Sequence, residues 1–438
     1  MPNKVKITFK PNAQWYIVTG LIALLGGMIL FLGWIAANFI IALIIFLYLK
    51  YKCFPIITSL LDTDWYKLTM GQVVFHQFPE AKAFYRFINR GKTEFPPGFD
   101  IHLKNELQLL SYVQLTYEEW VWLADQFVLN QDYIDWLANY RFNPKQVKIT
   151  QTEGNLDITI EGLWVETILW EVPLMATISE LYFRLTGKTY DLYESFLSIK
   201  AKAEKLKMAN VKWSDFGTRR RFSKEKQADV NAYMSVFKGF VGTSNPYFAM
   251  RYNLWPIGTY AHEAVMAMQA KYGAAESNKK WMEHWLKEYC LNPQMLIALT
   301  DTLTTDVFLR TYKFDLLRKF AGVRQDSGDP FEFAKKIIQY YKDNNINPKT
   351  QKIIFSDGLD VDKAIAINDE FKDEIQCVMG IGTNLTADCG HKPLNMVIKL
   401  TAIDFGDGFK PVVKLSDDEG KHTGNPERIE EVKKELQI

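Results

Sequence analysis

The stretch Val323-Arg-Gln-Asp-Ser-Gly-Asp-Pro330 is a polar, glycine-containing turn that follows a short apolar stretch and precedes an amphipathic one. This pattern predicts a strand before the turn and a helix after it. The same unit occurs seven times in one block, and the other turns are Asp215–Ser223, Val241–Asn245, Gly258–His262, Leu299–Thr302, Phe355–Asp360 and Gly380–Thr386. Such a series predicts an α/β barrel, in which the loops that follow the strands all open onto one face.

The chain ahead of this block has a different pattern. Strand-like alternation occurs at Ala81–Ile88, Val147–Thr150 and Leu156–Ile160, and stretches rich in tryptophan and leucine between Asn105 and Tyr140 predict helices. The predicted organisation is an apolar extension at 1–53, an N-terminal α+β domain at 54–170, an α/β barrel at 171–405 and a C-terminal segment at 406–438.

Composition excludes several classes of protein. The 438 residues are 48% hydrophobic and 24% charged, which suits a globular protein with a sizeable core. The 52 basic and 51 acidic residues give a net charge of +1, so nothing favours nucleic acid as a partner. The four cysteines show no Cys-x-x-Cys spacing, which argues against a zinc site or a disulfide framework and favours a reducing, cytosolic setting.

The N-terminal extension is almost wholly apolar from Tyr16 to Leu49 and is flanked by lysines. A bilayer core of about 30 Å takes roughly 20 helical residues, so residues 16–49 predict a transmembrane anchor, as one long helix or as a hairpin broken near Asn38. A signal peptide would have a shorter apolar core. The alternative is a reading frame extended upstream of the real start. An anchor would leave the catalytic part in the cytoplasm.

His262 is the candidate catalytic residue because it lies directly behind a Gly-Thr turn at the predicted start of a helix. A helix N-terminus attracts anions, and an imidazole beside it can exchange a proton or accept a phosphoryl group. The zinc signature His-Glu-x-x-His is incomplete, since Met266 stands where its second histidine would be. The alternative is a hydrogen-bonded structural histidine.

Two other turns offer groups that bind anions. The backbone of Gly380 and Gly382, with the hydroxyl of Thr383, suits a phosphate. Arg219 begins a run of three arginines that can hold a pyrophosphate or a carboxylate. One or two of these arginines, above all Arg220, are expected to be solvated or salt-bridged instead.

Acidic and aromatic residues complete the predicted face. Asp301, Asp326 and Asp357 follow predicted strands, where they could orient ribose hydroxyls or hold Mg²⁺ through its waters. Their alternative role is to cap the next helices. Phe216 could stack on a planar ring or belong to the core.

From about Phe54 to the C-terminus, the chain resembles the nicotinate phosphoribosyltransferase family in its bacterial form. The stretches that carry this resemblance are Leu61–Leu68, Asp215–Ser223, Gly242–Asn245, Gly258–His262, Gln325–Pro330, Gly380–Thr383 and Lys392–Lys399. The resemblance implies a type II phosphoribosyltransferase, with an irregular α/β barrel joined to an N-terminal sheet domain, in a homodimer. It also implies that nicotinate, phosphoribosyl pyrophosphate and ATP, with Mg²⁺, give nicotinate mononucleotide, pyrophosphate, ADP and phosphate.

The resemblance also assigns roles to single residues. His262 takes the place of the family's phosphorylated histidine, and Phe216 forms one wall of the nicotinate slot, with Tyr66 of the partner subunit as the other. Catalysis is assigned to His262, Asp301 and Asp326. Substrate contacts are assigned to Tyr66, Phe216, Arg219, Thr243, Ser244, Arg324, Asp357, Gly358, Gly380, Gly382 and Thr383.

Two alternatives to this assignment are a nicotinamide-using enzyme and a protein without catalysis. The nicotinamide-using relatives carry an aspartate where this chain has Ser244, and a serine beside arginines favours a carboxylate. The other alternative is a membrane-tethered nucleotide-binding module without catalysis. The predicted face keeps all the groups that the reaction needs, which favours the enzyme.

Overall fold

The computed structural model describes residues 55–438, together with Leu24, Gly27, Met28, Gly33, Trp34, Ala36 and Asn38–Ile41. The chain divides into two units, residues 1–55 and 56–438. Among the described residues, no helix is both long enough and apolar enough to cross a membrane. This finding corrects the predicted transmembrane helix at 16–49, although most of that segment lies outside the described residues.

Residues 55–438 contain eleven strands. They are β1 Lys82–Ile88, β2 Val147–Thr152, β3 Asn155–Leu163, β4 Trp213–Asp215, β5 Phe240–Thr243, β6 Ile297–Leu299, β7 Gly322–Gln325, β8 Lys352–Phe355, β9 Gln376–Ile381, β10 Val397–Asp404 and β11 Lys410–Pro411. All eleven belong to one of two sheets.

Helices cover and connect the sheets. Over residues 55–438 the α-helices are Trp65–Gln77, Phe99–Leu110, Tyr117–Asp125, Gln131–Asn139, Trp164–Thr167, Glu171–Leu185, Leu192–Met208, Lys224–Met234, Pro246–Arg251, His262–Tyr272, Ala274–Tyr289, Thr305–Thr311, Phe314–Lys319, Pro330–Asp343, Val361–Phe371, Thr383–Thr386 and Pro426–Leu436. Short 3₁₀ helices lie at Pro144–Gln146, Thr218–Arg220, Pro293–Met295, Pro348–Thr350 and Glu419–Lys421.

The first sheet is antiparallel and has the order β11-β10-β1-β3-β2. Its strands β1, β2 and β3 come from the predicted N-terminal domain, whereas β10 comes from much later in the chain. In β10, Val397 pairs with Ile88 and Asp404 with Lys82. This pairing brings a late strand against the early sheet. The predicted boundaries of the domains remain a prediction.

The second sheet is parallel and has the order β5-β4-β9-β8-β7-β6. Its strands are short and largely buried, as parallel strands covered by helices usually are. The turn at Val323–Pro330 shows how strand passes to helix. Asp329 accepts hydrogen bonds from the amides of Phe331 and Glu332, and Pro330 begins the helix Pro330–Asp343. The predicted irregular α/β barrel with an N-terminal α+β sheet domain is therefore confirmed.

One of the seven predicted units differs from the others. No strand precedes the turn at Gly258–His262, and Pro256 makes only an isolated bridge to Thr243. This segment instead joins the two edges of the parallel sheet. The amide of Ile257 donates to the carbonyl of Thr243 in β5 at 2.8 Å, and Oγ1 of Thr259 donates to the carbonyl of Ile297 in β6 at 3.0 Å. The barrel is thus closed by an irregular segment that runs directly into the His262 helix.

Candidate active site

A cavity of about 580 Å³ opens where the parallel strands end. Among the residues assigned from sequence, its lining includes Tyr66, Phe216, Arg219, Ser244, His262, Arg324, Asp326, Gly358, Gly382 and Thr383. The strands β4, β5, β7 and β9 each end directly before one of these residues, and Gly358 lies in the turn that follows β8. The cavity is therefore built from loops at the carboxyl ends of the strands, where binding sites of α/β proteins usually lie.

Four assigned residues lie next to this cavity but do not line it. The hydroxyl of Thr243 is buried and donates to Asp215 at 2.9 Å. Asp357 pairs with Nζ of Lys421 at 2.6 Å. The other two, Asp301 and Gly380, support His262 and Phe216 respectively.

The imidazole of His262 is held on both sides. Its Nδ1 lies 3.1 Å from the hydroxyl of Thr302, and its Nε2 lies 2.9 Å from Oδ2 of Asp326. Burial, together with the ammonium of Lys414, lowers the pKa of His262 to about 4. The ring is therefore neutral at pH 7 and keeps a lone pair, which a phosphoryl acceptor needs.

Asp326 is held as an anion. Burial would raise its pKa, but Arg324 and His262 outweigh that effect and keep the pKa well below its usual range. Nη1 of Arg324 lies 3.1 Å from Oδ1 of Asp326, and the hydroxyl of Ser356 donates to the same oxygen at 2.7 Å. The carboxylate is thus fixed in position as well as in charge.

Oxygen ligands that suit a divalent cation lie beside His262. His262, Asp301 and Asp326 offer ligand atoms within 4.8 Å of one another, and Oδ1 of Asp301 is buried without a hydrogen-bond partner among the described residues. Nζ of Lys414 lies 3.7 Å from Oδ2 of Asp301 and 2.9 Å from Nε2 of His262. The lysine already supplies positive charge here, so a cation would more readily meet these groups through water.

The three consecutive arginines have three different environments. Arg221 is fully buried and makes a bidentate pair with Asp62, at 2.7 and 2.9 Å. Arg219 reaches the cavity, 3.6 Å from Asp64 and 3.5 Å from Glu171. Arg220 also lines the cavity, and it has no ion pair with any described residue. The salt-bridged structural arginine is therefore Arg221, and Arg220 stays available to an anionic ligand.

Two aromatic rings flank one end of the cavity. Phe216 and Tyr66 both line it, and both belong to the same chain, whereas Tyr66 was expected from the partner subunit. A Cβ on Gly380 would come within 2.6 Å of the Phe216 ring, so only glycine allows that ring its position. The guanidinium of Arg219 lies 6.0 Å from the centre of the Tyr66 ring. This end of the cavity suits a flat anionic ring.

A buried ionic network lies behind that end. Nζ of Lys67 contacts Glu171 at 2.7 Å and Glu263 at 2.5 Å. Glu263 also accepts hydrogen bonds from Tyr85 and from Nε1 of Trp164, the latter at 2.7 Å. Because Glu171 also contacts Nη1 of Arg219, this network fixes the guanidinium of Arg219 and ties it to the helix that His262 begins.

Several site residues were missed from sequence. Lys414 lies in the predicted C-terminal segment, and a lone lysine there carries no signal. Asp64 comes from the predicted N-terminal domain, where no catalytic cluster was visible, and Glu171 is the first residue of the predicted barrel. Lys399 belongs to β10 and lines the cavity, and burial lowers its pKa to about 7. Asp64 and Lys399 do lie within Leu61–Leu68 and Lys392–Lys399, two of the stretches that carry the family resemblance. That resemblance was the only signal in the sequence that pointed to them.

Known proteins resemble this chain over most of its length. Residues 211–438 match the model of the nicotinate phosphoribosyltransferase (NAPRTase) family, and residues 61–179 match that of the nicotinate phosphoribosyltransferase N-terminal domain. Nicotinate phosphoribosyltransferase of Chromohalobacter salexigens is 41% identical over 386 residues, which cover 87% of this chain and 98% of that protein. The one from Desulforapulum autotrophicum is 42% identical, over 85% of this chain and 97% of its own length.

Solved structures give the same result. The crystal structure of nicotinate phosphoribosyltransferase from Porphyromonas gingivalis matches with a TM-score of 0.85 and 37% identity, over 87% of this chain and 100% of that one. The structure from Vibrio cholerae matches with a TM-score of 0.83 and 33% identity, over 87% of this chain and 94% of its own. With both family models matched in order and relatives covered almost end to end, the chain belongs to the nicotinate phosphoribosyltransferase family.

Proposed function

We propose that this enzyme joins nicotinate to the phosphoribosyl group of phosphoribosyl pyrophosphate, which gives nicotinate mononucleotide and pyrophosphate, and that ATP is hydrolysed through a phosphohistidine. The observation that carries the proposal is the neutral His262, held between Asp326 and Lys414 at a cavity rich in arginine. Family membership supports the transferase reaction. The use of ATP rests on the histidine and on the resemblance of its surroundings.

His262 would accept the γ-phosphoryl group of ATP on a ring nitrogen, with ADP as the leaving group, and water would later release phosphate. The new phosphate would add negative charge beside the Lys414 ammonium and the start of the His262 helix. Asp301 would hold Lys414 in place through their 3.7 Å contact. Such a charge pair can order neighbouring loops over the sugar pyrophosphate.

Nicotinate would lie between the rings of Phe216 and Tyr66. Its carboxylate would face Arg219 and Ser244, which line the same end of the cavity. Thr243 would contribute indirectly, because its hydroxyl fixes Asp215 below this end. A flat slot with the Arg219 guanidinium beside it favours the anionic nicotinate over the neutral nicotinamide.

Phosphoribosyl pyrophosphate would occupy the rest of the cavity. The 5′-phosphate would lie at Gly382 and Thr383, with Gly380 behind them, and the pyrophosphate near Arg324. Asp326 and Gly358 would orient the ribose hydroxyls, with Asp357 beside them. The oxygens of Asp326 and Asp357 suit Mg²⁺ held through water, and bound Mg²⁺ would neutralise the charge of the pyrophosphate.

The chemical step would need mainly positioning and electrostatic stabilisation. Positive charge builds up at C1 of the ribose as the bond to pyrophosphate breaks, and the ring nitrogen of nicotinate attacks that carbon. Arg219 would hold the attacking ring, and Arg324 would stabilise the leaving pyrophosphate. Fixed groups of this kind lower the barrier without reorganising during the reaction.

We also propose a homodimer, which rests on the family resemblance and is tested by the mass of the enzyme in solution.

The activity is tested by incubating the purified protein with phosphoribosyl pyrophosphate and nicotinate, with and without ATP. Nicotinate mononucleotide should form, and ATP should raise its yield and give one ADP per product when coupling is complete. Nicotinamide in place of nicotinate is the control. If nicotinamide is the better substrate, or if no product forms, the proposal is wrong.

A further inference from the structure

The hydroxyl of Ser244 donates its hydrogen to Asp64, and the two oxygens lie 2.6 Å apart. Both side chains are buried, with 5% and 2% of their surface exposed, and both line the nicotinate end of the cavity. The second oxygen of Asp64 lies 3.6 Å from Nε of Arg219. Asp64 therefore controls where the one hydroxyl hydrogen of Ser244 points.

This direction matters for a carboxylate ligand. A hydroxyl has one hydrogen to donate, and while Asp64 is ionised it receives that hydrogen. Ser244 then presents only lone pairs to the cavity, and these repel the oxygens of a carboxylate. A carboxylic acid at Asp64 would reverse the bond, because its own hydrogen could be donated to Oγ of Ser244. The hydroxyl hydrogen would then be free for the ligand.

We propose that Asp64 takes up one proton from solvent when the carboxylate of nicotinate binds beside Ser244, and that this proton makes Ser244 a donor to the ligand. Only one proton moves, from water to an oxygen of Asp64, and no covalent bond of the ligand changes. The inference rests on the proposed function. It makes Asp64 a specificity residue that acts through Ser244.

The burial of Asp64 favours this protonation. Burial raises the pKa of Asp64 to about 6, against the lowering effects of Arg219 and the hydroxyls of Ser244 and Thr218. Glu171, at the start of the neighbouring helix, raises the pKa further. Tyr66, on the helix that follows Asp64, is a neutral phenol whose pKa is raised by burial. An additional carboxylate at Ser244 would raise the pKa of Asp64 again.

Two other titratable groups lie near the ligand, and their contribution to proton uptake must be distinguished from that of Asp64. Burial opposes ionisation of Glu171, but Lys67 and Arg219 outweigh it and lower its pKa to about 2, so Glu171 stays ionised. Burial lowers the pKa of Lys399 to about 7, and the nearby cations Lys414 and Arg219 act in the same direction. Lys399 could therefore also gain a proton when an anion binds, and a variant of Asp64 is needed to assign the uptake.

The test is calorimetric titration of nicotinate into the full chain, in buffers that differ in ionisation enthalpy. With a starting pKa of about 6, the wild type should take up roughly 0.9 proton per nicotinate at pH 7. Its Kd for nicotinate should rise about eightfold between pH 6.5 and pH 7.5. Asp64→Asn, whose amide donates to Ser244 at every pH, should lose the Asp64-linked uptake, and any smaller uptake or pH dependence of Kd that it keeps belongs to Lys399.

Asp229→Asn is the matched control, because burial also raises the pKa of Asp229 and this residue does not line the cavity. It should retain the uptake and the pH dependence of the wild type. The inference is overturned if the wild type takes up no proton at pH 7. This test needs only the wild type, so it can be made even if Asp64→Asn fails to fold. Unchanged uptake in folded Asp64→Asn also overturns it. A protein that binds no nicotinate and makes no nicotinate mononucleotide overturns the proposed function as well.

Discussion

Nζ of Lys414 and Oδ2 of Asp326 each lie 2.9 Å from the same nitrogen, Nε2 of His262. An ammonium can only donate to Nε2, whereas an ionised carboxylate can only accept from it. A neutral imidazole satisfies one of these partners at a time. The hydroxyl of Thr302 beside Nδ1 can donate or accept, so both tautomers of His262 are compatible with the surrounding groups. Lys414 thus favours the tautomer of His262 with its proton on Nδ1, and Asp326 favours the tautomer with its proton on Nε2.

Replacing Lys414 by methionine should reduce phosphorylation of His262. The change removes the positive charge beside Nε2 but keeps a side chain of similar length. Loss of one preorganised donor commonly costs about 10²–10³ in rate. Incorporation of labelled phosphate from ATP should fall by that factor, while ATP-independent transfer should change far less. Lys410→Met, at an exposed lysine paired with Asp407, is the control and should label normally.

Replacing His262 by asparagine should abolish nicotinate-stimulated ATP hydrolysis and leave a slow, ATP-independent transferase. Asparagine can keep a hydrogen bond to Asp326 but cannot accept a phosphoryl group as imidazole does. The measurement is acid-labile label from ATP, together with product formation. His102→Asn, at an exposed histidine, should behave like the wild type. Acid-labile label on the His262 variant would show that another residue is the acceptor.

Replacing Ser244 by aspartate should weaken the preference for nicotinate. In the wild type, Asp64 accepts a hydrogen bond from Ser244. The new carboxylate would lie next to Asp64 and near the expected carboxylate of the ligand. Repulsion and the lost hydrogen bond should cost about 2–4 kcal/mol, or roughly 30- to 1000-fold in kcat/KM. The assay compares nicotinate with nicotinamide, and Ser235→Asp, outside the cavity, is the control. Activity on nicotinate within threefold of the wild type would contradict this role.

His76 should make the stability of the enzyme depend on pH. Nδ1 lies 2.9 Å from Glu288 and Nε2 lies 3.1 Å from Asp132, and although burial opposes the charge, these carboxylates raise the pKa of His76. Because the pKa of His76 is higher in the folded state, its ion pairs stabilise the fold fully below the unfolded-state pKa of about 6.5. This stabilisation is lost as the pH rises through the folded-state pKa. His76→Asn should therefore lower the Tm more at pH 6 than at pH 8.5. Equal losses at the two pH values would contradict this, and His102→Asn should show neither loss.

The sequence predicted the position of site residues where a strand, a turn and a helix follow one another directly. Arg324 and Asp326 could be placed on one face because a short apolar stretch precedes them and a proline begins the next helix, and local patterns determine both features. The Gly258–His262 unit was different because Pro256 has no N–H to donate to a sheet ladder. The apolar residues around it suggest a strand, but the backbone can form only a bridge there.

Other parts of the site depend on contacts between distant segments. Arg219, Arg220 and Arg221 are identical in type, and only the position of Asp62 makes Arg221 structural. Lys414 reaches His262 across 152 positions of sequence. No periodicity or spacing encodes such a contact. These residues could be assigned only from the three-dimensional arrangement.

The irregular segment that joins the edges of the parallel sheet also affects the order of assembly. It is bonded to Thr243 on one side and to Ile297 on the other, and His262 follows it directly. These contacts cannot form before both edge strands are in place, and long-range contacts of this kind form late. The surroundings of His262, the proposed phosphate acceptor, therefore take shape only in completed molecules. Chains still emerging from the ribosome, or trapped partway, would consume no ATP.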